Sequence, residues 1–131
     1  MARAGAERDA IQQRQAEGFA AERWLQRTMF SSGKVLNRKG PGDIMVPTGE
    51  VIEVKSVPFA EATFVNGGEH PPKHRTIVVV TDGPESDWYV LGQIGKDAWI
   101  RGRPLGSQSQ LCWYVPRSKI TCVREWSCDH A

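Results

Sequence analysis

The run Thr76-Ile77-Val78-Val79-Val80-Thr81 constrains this chain more than any other stretch. All six residues are β-branched, which restricts χ1 and suits a pleated, extended backbone better than a helix. An unbroken run of this kind predicts a central strand buried on both faces. Asp82-Gly83-Pro84-Glu85 then turns the chain, and Trp88-Tyr89-Val90-Leu91 returns as the next strand.

A second extended unit lies upstream, from Gly40 to Ser56. Apolar and polar positions alternate on both sides of Pro47-Thr48-Gly49, a sequence suited to a three-residue hairpin loop: Pro presets φ at the first position and Gly accepts the left-handed one. That loop length predicts that Val46 faces Glu50 and that Asp43 faces Glu53, with both carboxylates on one face and Lys55 two residues on. A two-residue loop would instead put Asp43 opposite Val54, on the other face from Glu53.

Two carboxylates and an ammonium on a strand pair that is otherwise apolar need a physical reason, because like charges repel and desolvated charges are costly. A divalent cation supplies one. Mg²⁺ takes one or two carboxylates and keeps water and phosphate oxygens in its remaining positions. Lys55 would stand beside it, able to hold an attacking water or to offset phosphate charge. The plainer alternative is that Glu53-Val54-Lys55 is the solvated edge of an amphipathic strand.

The residues Pro41-Gly42-Asp43 followed by Ile52-Glu53-Val54-Lys55 resemble the motif of the PD-(D/E)XK nuclease superfamily: an acid at the start of one strand, then about ten residues later an acid, any residue and a lysine in an apolar strand. Gly18-Phe19-Ala20-Ala21-Glu22 adds an acid on the preceding helix, a layout similar to archaeal Holliday-junction resolvases. Two features depart from the pattern. Gly42 stands where the motif has proline before the Asp, and Gly67-Gly68 and Pro71-Pro72 interrupt an interval that a helix spans in resolvase-like proteins. The resemblance implies a single α/β domain over residues 1–131, with a restriction-endonuclease-like core of mixed central sheet flanked by helices. It implies Mg²⁺ or Mn²⁺ held by Asp43 and Glu53 with the Val54 carbonyl as a further ligand. Lys55 would be catalytic, and Glu22 would hold a second metal or a water. The implied activity is endonucleolytic hydrolysis of DNA by a homodimer. A catalytically inactive nucleic-acid-binding or assembly module, and an RNase using the same centre, are the alternatives.

Composition adds bounds rather than identity. The 131 residues are 40% hydrophobic, enough for one domain with a core, and 17 basic against 15 acidic residues leave a formal charge of only +2. Position is more informative than the total. Arg23, Arg27, Lys34, Arg38 and Lys39 precede the hairpin with no acid between Arg23 and Lys39, and Lys73 and Arg75 follow it with His74 between them. These are the candidate phosphate contacts; the alternative is an ordinary solvated surface. No apolar run reaches membrane-spanning length, which leads to the expectation of a soluble cytoplasmic protein with no membrane partner. Three cysteines, Cys112, Cys122 and Cys128, predict free thiols rather than a disulfide framework.

Elsewhere the pattern predicts one long helix over the first thirty residues, with a stripe of Ile11, Phe19, Ala20, Trp24 and Leu25 and a stop at Gly33. Glu22 lies at the edge of that stripe. Lys34 to Asn37 reads as a short strand, Phe59 to Phe64 and Gln93 to Ile100 as short helices, and Arg101 to Gln110 as a polar loop. Trp113 to Val115 is expected to pair with Ile120 to Val123 as edge strands.

Overall fold

A computed structural model describes residues 18–36, 43–58, 64–66, 69–102 and 111–123. The expected turn at Gly40 to Gly42 and the 59–63 part of the expected helix lie outside these residues, as do Arg38, Lys39 and Cys128. In order, the described chain runs through helix α1 (residues 18–29), β1 (Lys34–Val35), β2 (Ile44–Met45), β3 (Val51–Val57), β4 (Phe64–Asn66), β5 (Arg75–Val80), β6 (Tyr89–Ile94), β7 (Ile100–Gly102) and β8 (Cys112–Val115). Short 3-10 turns lie between β5 and β6 at Glu85–Asp87 and after β8 at Arg117–Lys119.

The strands make two sheets. The larger has the order β1-β2-β3-β5-β6, and the smaller β4-β8-β7. The larger sheet is mixed: β1, β2 and β3 form an antiparallel meander, β5 lies parallel to β3, and β6 returns antiparallel to β5. The Thr76 to Val80 segment is the expected strand buried on both faces, with all five residues buried. Its alternating side chains feed two cores. Ile77 and Val79 pack with Ile44, Ile52 and Val54 against Ala21 and Leu25 of α1. Val78 and Val80 pack with Val57, Ile94, Trp99, Val115 and Ile120 on the opposite face. Each fully buried aliphatic side chain of this kind contributes roughly 1.5–3 kcal/mol. The fold is thus α/β with a mixed sheet, but among the described residues only one face carries a helix. The other is covered through Val115 of β8.

α1 buries a stripe centred on Ala21 and Leu25, one turn apart, with Trp24 partly buried beside them. Phe19 was expected in this stripe but is 52% exposed. At two residues before Ala21 it falls on the far side of a 3.6-residue turn. The end of α1 is closed by Gln26, whose Nε2 donates to the carbonyls of Phe30, Ser31 and Gly33 at 3.2–3.4 Å. A side chain at Gly33 would meet the Phe30 carbonyl at 3.0 Å and the Ile44 side chain at 3.2 Å, so any larger residue there would have to push its neighbours aside where the chain folds back into β1. Trp24 stacks edge-on with Trp88 at 6.1 Å, and Arg27 pairs with Glu85, which ties α1 to the β5–β6 turn.

Three expectations about the second half are corrected. Residues 93–100 are not a helix: Gln93 and Ile94 complete β6, residues 95–99 turn, and Ile100 begins β7. Gly95 and the pairing of Thr76 with Ile94 favour the strand. β8 is the centre of the smaller sheet rather than an edge. Thr121 pairs with Gln93 of β6 instead of with β8, through amide bonds of 2.8 and 3.0 Å. Cys112 is a buried free thiol, but Cys122 is disulfide-bonded, contrary to the expectation of free thiols throughout.

Candidate active site

The β2–β3 hairpin has the register that a three-residue loop demands. Gly49 takes φ +91° and donates to Val46 at 2.8 Å, the Val46 amide donates to Glu50 at 3.0 Å, and Ile44 stands opposite Ile52. Asp43 is therefore opposite Glu53. The ladder does not continue regularly through Asp43, however. In an antiparallel strand successive residues send their backbone groups to opposite neighbours. The Asp43 carbonyl accepts from Leu36 of the β1 side at 2.8 Å, yet its amide donates to Ile52 of β3 at 2.9 Å. The residue is thus turned toward β3, and its carboxylate follows: Oδ2 accepts the Val54 amide proton at 2.8 Å. The Asp43 side chain takes the place of a backbone partner for the residue between Glu53 and Lys55.

This turn also brings Asp43 to α1, where its carboxyl hydrogen-bonds that of Glu22. Glu22 is half-buried at the edge of the apolar stripe. Desolvation raises its pKa from 4.5 to about 7, with the Asp43 charge and the shared hydrogen bond adding to the rise and Arg23 opposing it. Two neighbouring carboxyls beside a strand amide form an oxygen-rich pair of the kind a divalent cation can occupy.

Glu53 and Lys55 are half-buried and alternate along β3 with Ile52 and Val54, whose side chains pack under α1. They therefore share the opposite face with Val57. The expectation that the Asp43 and Glu53 carboxylates share a face is thereby corrected: the turn at Asp43 brings it and Glu22 to Val54 from the strand edge and the α1 side, while Glu53 and Lys55 flank Val54 on the other face. Among the described residues, no three His, Cys, Asp or Glu side chains stand close enough to hold an ion together. The Val54 carbonyl points to the same strand edge as its amide, toward Asp43. No described strand pairs with β3 beyond Ile52 on that edge.

The candidate basic residues separate into groups. Arg23, Lys34 and Lys73 are exposed. Arg27 is paired with Glu85 at 2.5 Å with its side chain still 57% exposed. Arg75 is held by Glu50 at 2.8 Å and by Gln93 at 2.9 Å, with a side chain only 9% exposed, so it braces the ends of β3, β5 and β6. Two residues near this region carried no candidate site role from the sequence. Thr76 is the register partner of Glu53 and is fully buried, with no hydrogen-bond partner for its hydroxyl. Its pairing follows from a parallel register that no local pattern encodes. Lys96 was hidden by the expectation of a helix over 93–100.

No protein-family model, curated protein or solved structure matches this chain. The helices of the described residues include none long and apolar enough to cross a membrane.

Proposed function

We propose that the protein is a metal-dependent phosphodiester hydrolase acting on DNA, of the PD-(D/E)XK kind and with a restriction-endonuclease-like core. The observation that carries this reading is the Glu22–Asp43 carboxyl pair bound to the amide of Val54, the residue set between Glu53 and Lys55. The order of elements supports it too: a helix, an antiparallel meander of three strands, and a strand parallel to the third.

Glu22, Asp43 and the Val54 carbonyl at the strand edge would hold Mg²⁺ or Mn²⁺, and Glu53 would join them only by swinging round the open edge of β3 from the other face; the ion when bound acidifies a water and offsets phosphate charge. Asp43 has a double task, since the carboxylate offered to the ion also fixes the strand that carries Glu53. Lys55 binds the attacking water or a non-bridging phosphate oxygen and stabilises the charge that accumulates as the new P–O bond forms. The attacking water gives up a proton to solvent as it bonds to phosphorus, the bond from phosphorus to the leaving sugar oxygen breaks, and that oxygen takes a proton from solvent.

The test is a cleavage panel over junction, flap, duplex and single-stranded DNA and matched RNA, with Mg²⁺, Mn²⁺ or chelator. Metal-dependent cleavage by the parent and its loss in Glu53→Ala and Lys55→Ala is the expected result. Cleavage by both variants at the parent's rate, or no cleavage of any substrate by the parent, overturns the reading. Greater activity on RNA would move the assignment to an RNase.

A further inference from the structure

At the end of the large sheet where β3 and β5 begin and β6 finishes, the surface is hollowed by two adjoining open depressions of about 500 and about 450 Å³. The first is lined by His70, Pro71, Pro72, Lys73, Lys96 and Asp97. The second shares Lys73 and Lys96 with it and extends over Val51, His74 and the Glu50–Arg75 pair. Together they make one groove, entered from the 69–74 loop and ending on the first residue of β3.

The charges in this groove are unequally committed. Glu50 is taken up by Arg75. Lys73 and Lys96 are both exposed and form no ion pair with a described residue, which leaves Asp97 as the one uncompensated acid of the lining. Two ammonium groups in one concavity repel each other and attract a polyanion. The imidazoles of His70 and His74 offer flat faces beside them, the combination of cation and aromatic ring that tracks a nucleic-acid strand without reading its sequence. The direction of the groove adds a second argument. Val51 lies on the same face of β3 as Glu53 and Lys55, because the three alternate along the strand. The groove floor at Val51 is therefore about 7 Å from Glu53, at a rise of roughly 3.4 Å per residue.

We infer that this groove binds the phosphate backbone of the nucleic-acid strand that the acid site cleaves, with Lys73 and Lys96 as its phosphate contacts. The inference rests on the hydrolase reading for the identity of the strand, but the binding itself needs neither metal nor turnover. Arg75 acts here as a brace for the groove wall rather than as a phosphate ligand, because Glu50 and Gln93 already occupy its guanidinium.

The experiment is fluorescence anisotropy of a labelled single-stranded and a labelled duplex DNA in chelator, over a salt series, with the full chain. The parent and Glu53→Ala should both bind, and Lys73→Gln/Lys96→Gln should bind at least tenfold more weakly. The slope of log affinity on log salt should flatten by about 1.4 to 1.8, the contribution of two phosphate contacts. Each single variant should show an intermediate loss, so the conclusion does not hinge on the double variant, whose fold is checked by circular dichroism. Parental affinity and slope in the double variant overturn the inference, as does failure of the parent to bind either DNA. Displacement of DNA by polyglutamate at matched charge also overturns it, in favour of an acidic peptide site. Binding with this pattern but without cleavage would reject the hydrolase reading and leave the groove standing. Cleavage with an unaffected double variant would do the reverse.

Discussion

Asp43 Oδ2 accepts the backbone amide of Val54 at 2.8 Å, so one proposed metal ligand also holds in place the strand that carries Glu53 and Val54. A side chain with two such tasks should reveal them separately on substitution. Asp43→Ala leaves a strand amide without its partner and should cost about 1–3 kcal/mol. Asp43→Asn keeps an acceptor oxygen and should cost less, while losing metal-dependent activity as fully as the alanine. Urea unfolding of both variants beside the cleavage assay checks this. Equal stability of Asp43→Ala and the parent would mean that the bond contributes nothing.

The Glu22 carboxyl has a folded pKa of about 7 against 4.5 when unfolded, raised first by burial and then by Asp43. Between those values the folded state binds more protons than the unfolded one, so stability falls as pH rises from about 4.5 to 7 and is level above. Because Glu22 is only half-buried, solvent screening reduces the effect to the order of 1 kcal/mol. In Glu22→Gln this slope should vanish from metal-free unfolding curves recorded across that range. A slope unchanged by the substitution would assign it to other groups.

Glu53 and Lys55 are half-buried, and neither side chain belongs to the two apolar cores. Glu53→Ala and Lys55→Ala should therefore reduce cleavage by a factor of about 10² or more, in the range seen when a charge-stabilising group is removed. Their melting temperatures should stay within a few degrees of the parent. Thermal melts and single-turnover rates on one preparation separate the two effects. A large loss of stability would make the activity loss uninformative for Glu53, and Glu53→Gln would then replace it.

Gly92 is where β6 meets the Thr121 segment. A Cβ there would lie 2.4 Å from the Thr121 carbonyl oxygen and 2.7 Å from Ile120 Cγ2, so backbone must shift to admit it. Gly92→Ala should lower stability by about 1–3 kcal/mol, the usual cost of overpacking. Gly95→Ala meets nothing within 4 Å and is the matched control in the same melting experiment.

Thr76 buries its hydroxyl beside Glu53 without a hydrogen-bond partner. Thr76→Val replaces that hydroxyl with a methyl of similar shape and removes the cost of burying it, so the variant should be as stable as the parent or up to about 1 kcal/mol more stable. Its cleavage rate reports whether the hydroxyl also serves Glu53. A marked destabilisation would mean that the hydroxyl is satisfied in solution.

The local chemistry of the chain was legible where short-range physics decides. Pro47-Thr48-Gly49 specified its loop, and the loop specified the register that sets Asp43 opposite Glu53. Six β-branched residues specified a strand buried on both faces. Trp24 and Leu25 identified the inner face of α1, though Phe19 did not belong to it, because a helical stripe is located by its centre and not by every apolar residue near it.

What only the tertiary structure decided came from partners distant in sequence. The parallel register that puts Thr76 beside Glu53, the turn of Asp43 toward both Val54 and Glu22, the capture of Arg75 by Glu50 and Gln93, and the pairing of Thr121 with Gln93 all join segments that no local periodicity relates. Backbone propensity acts over a few residues, whereas a carboxylate or guanidinium takes whichever donor or acceptor the packed layers bring within about 3 Å. Hairpin register nominated Asp43, Glu53 and Lys55, resemblance to a known motif added Glu22, and packing alone determined which of them touch.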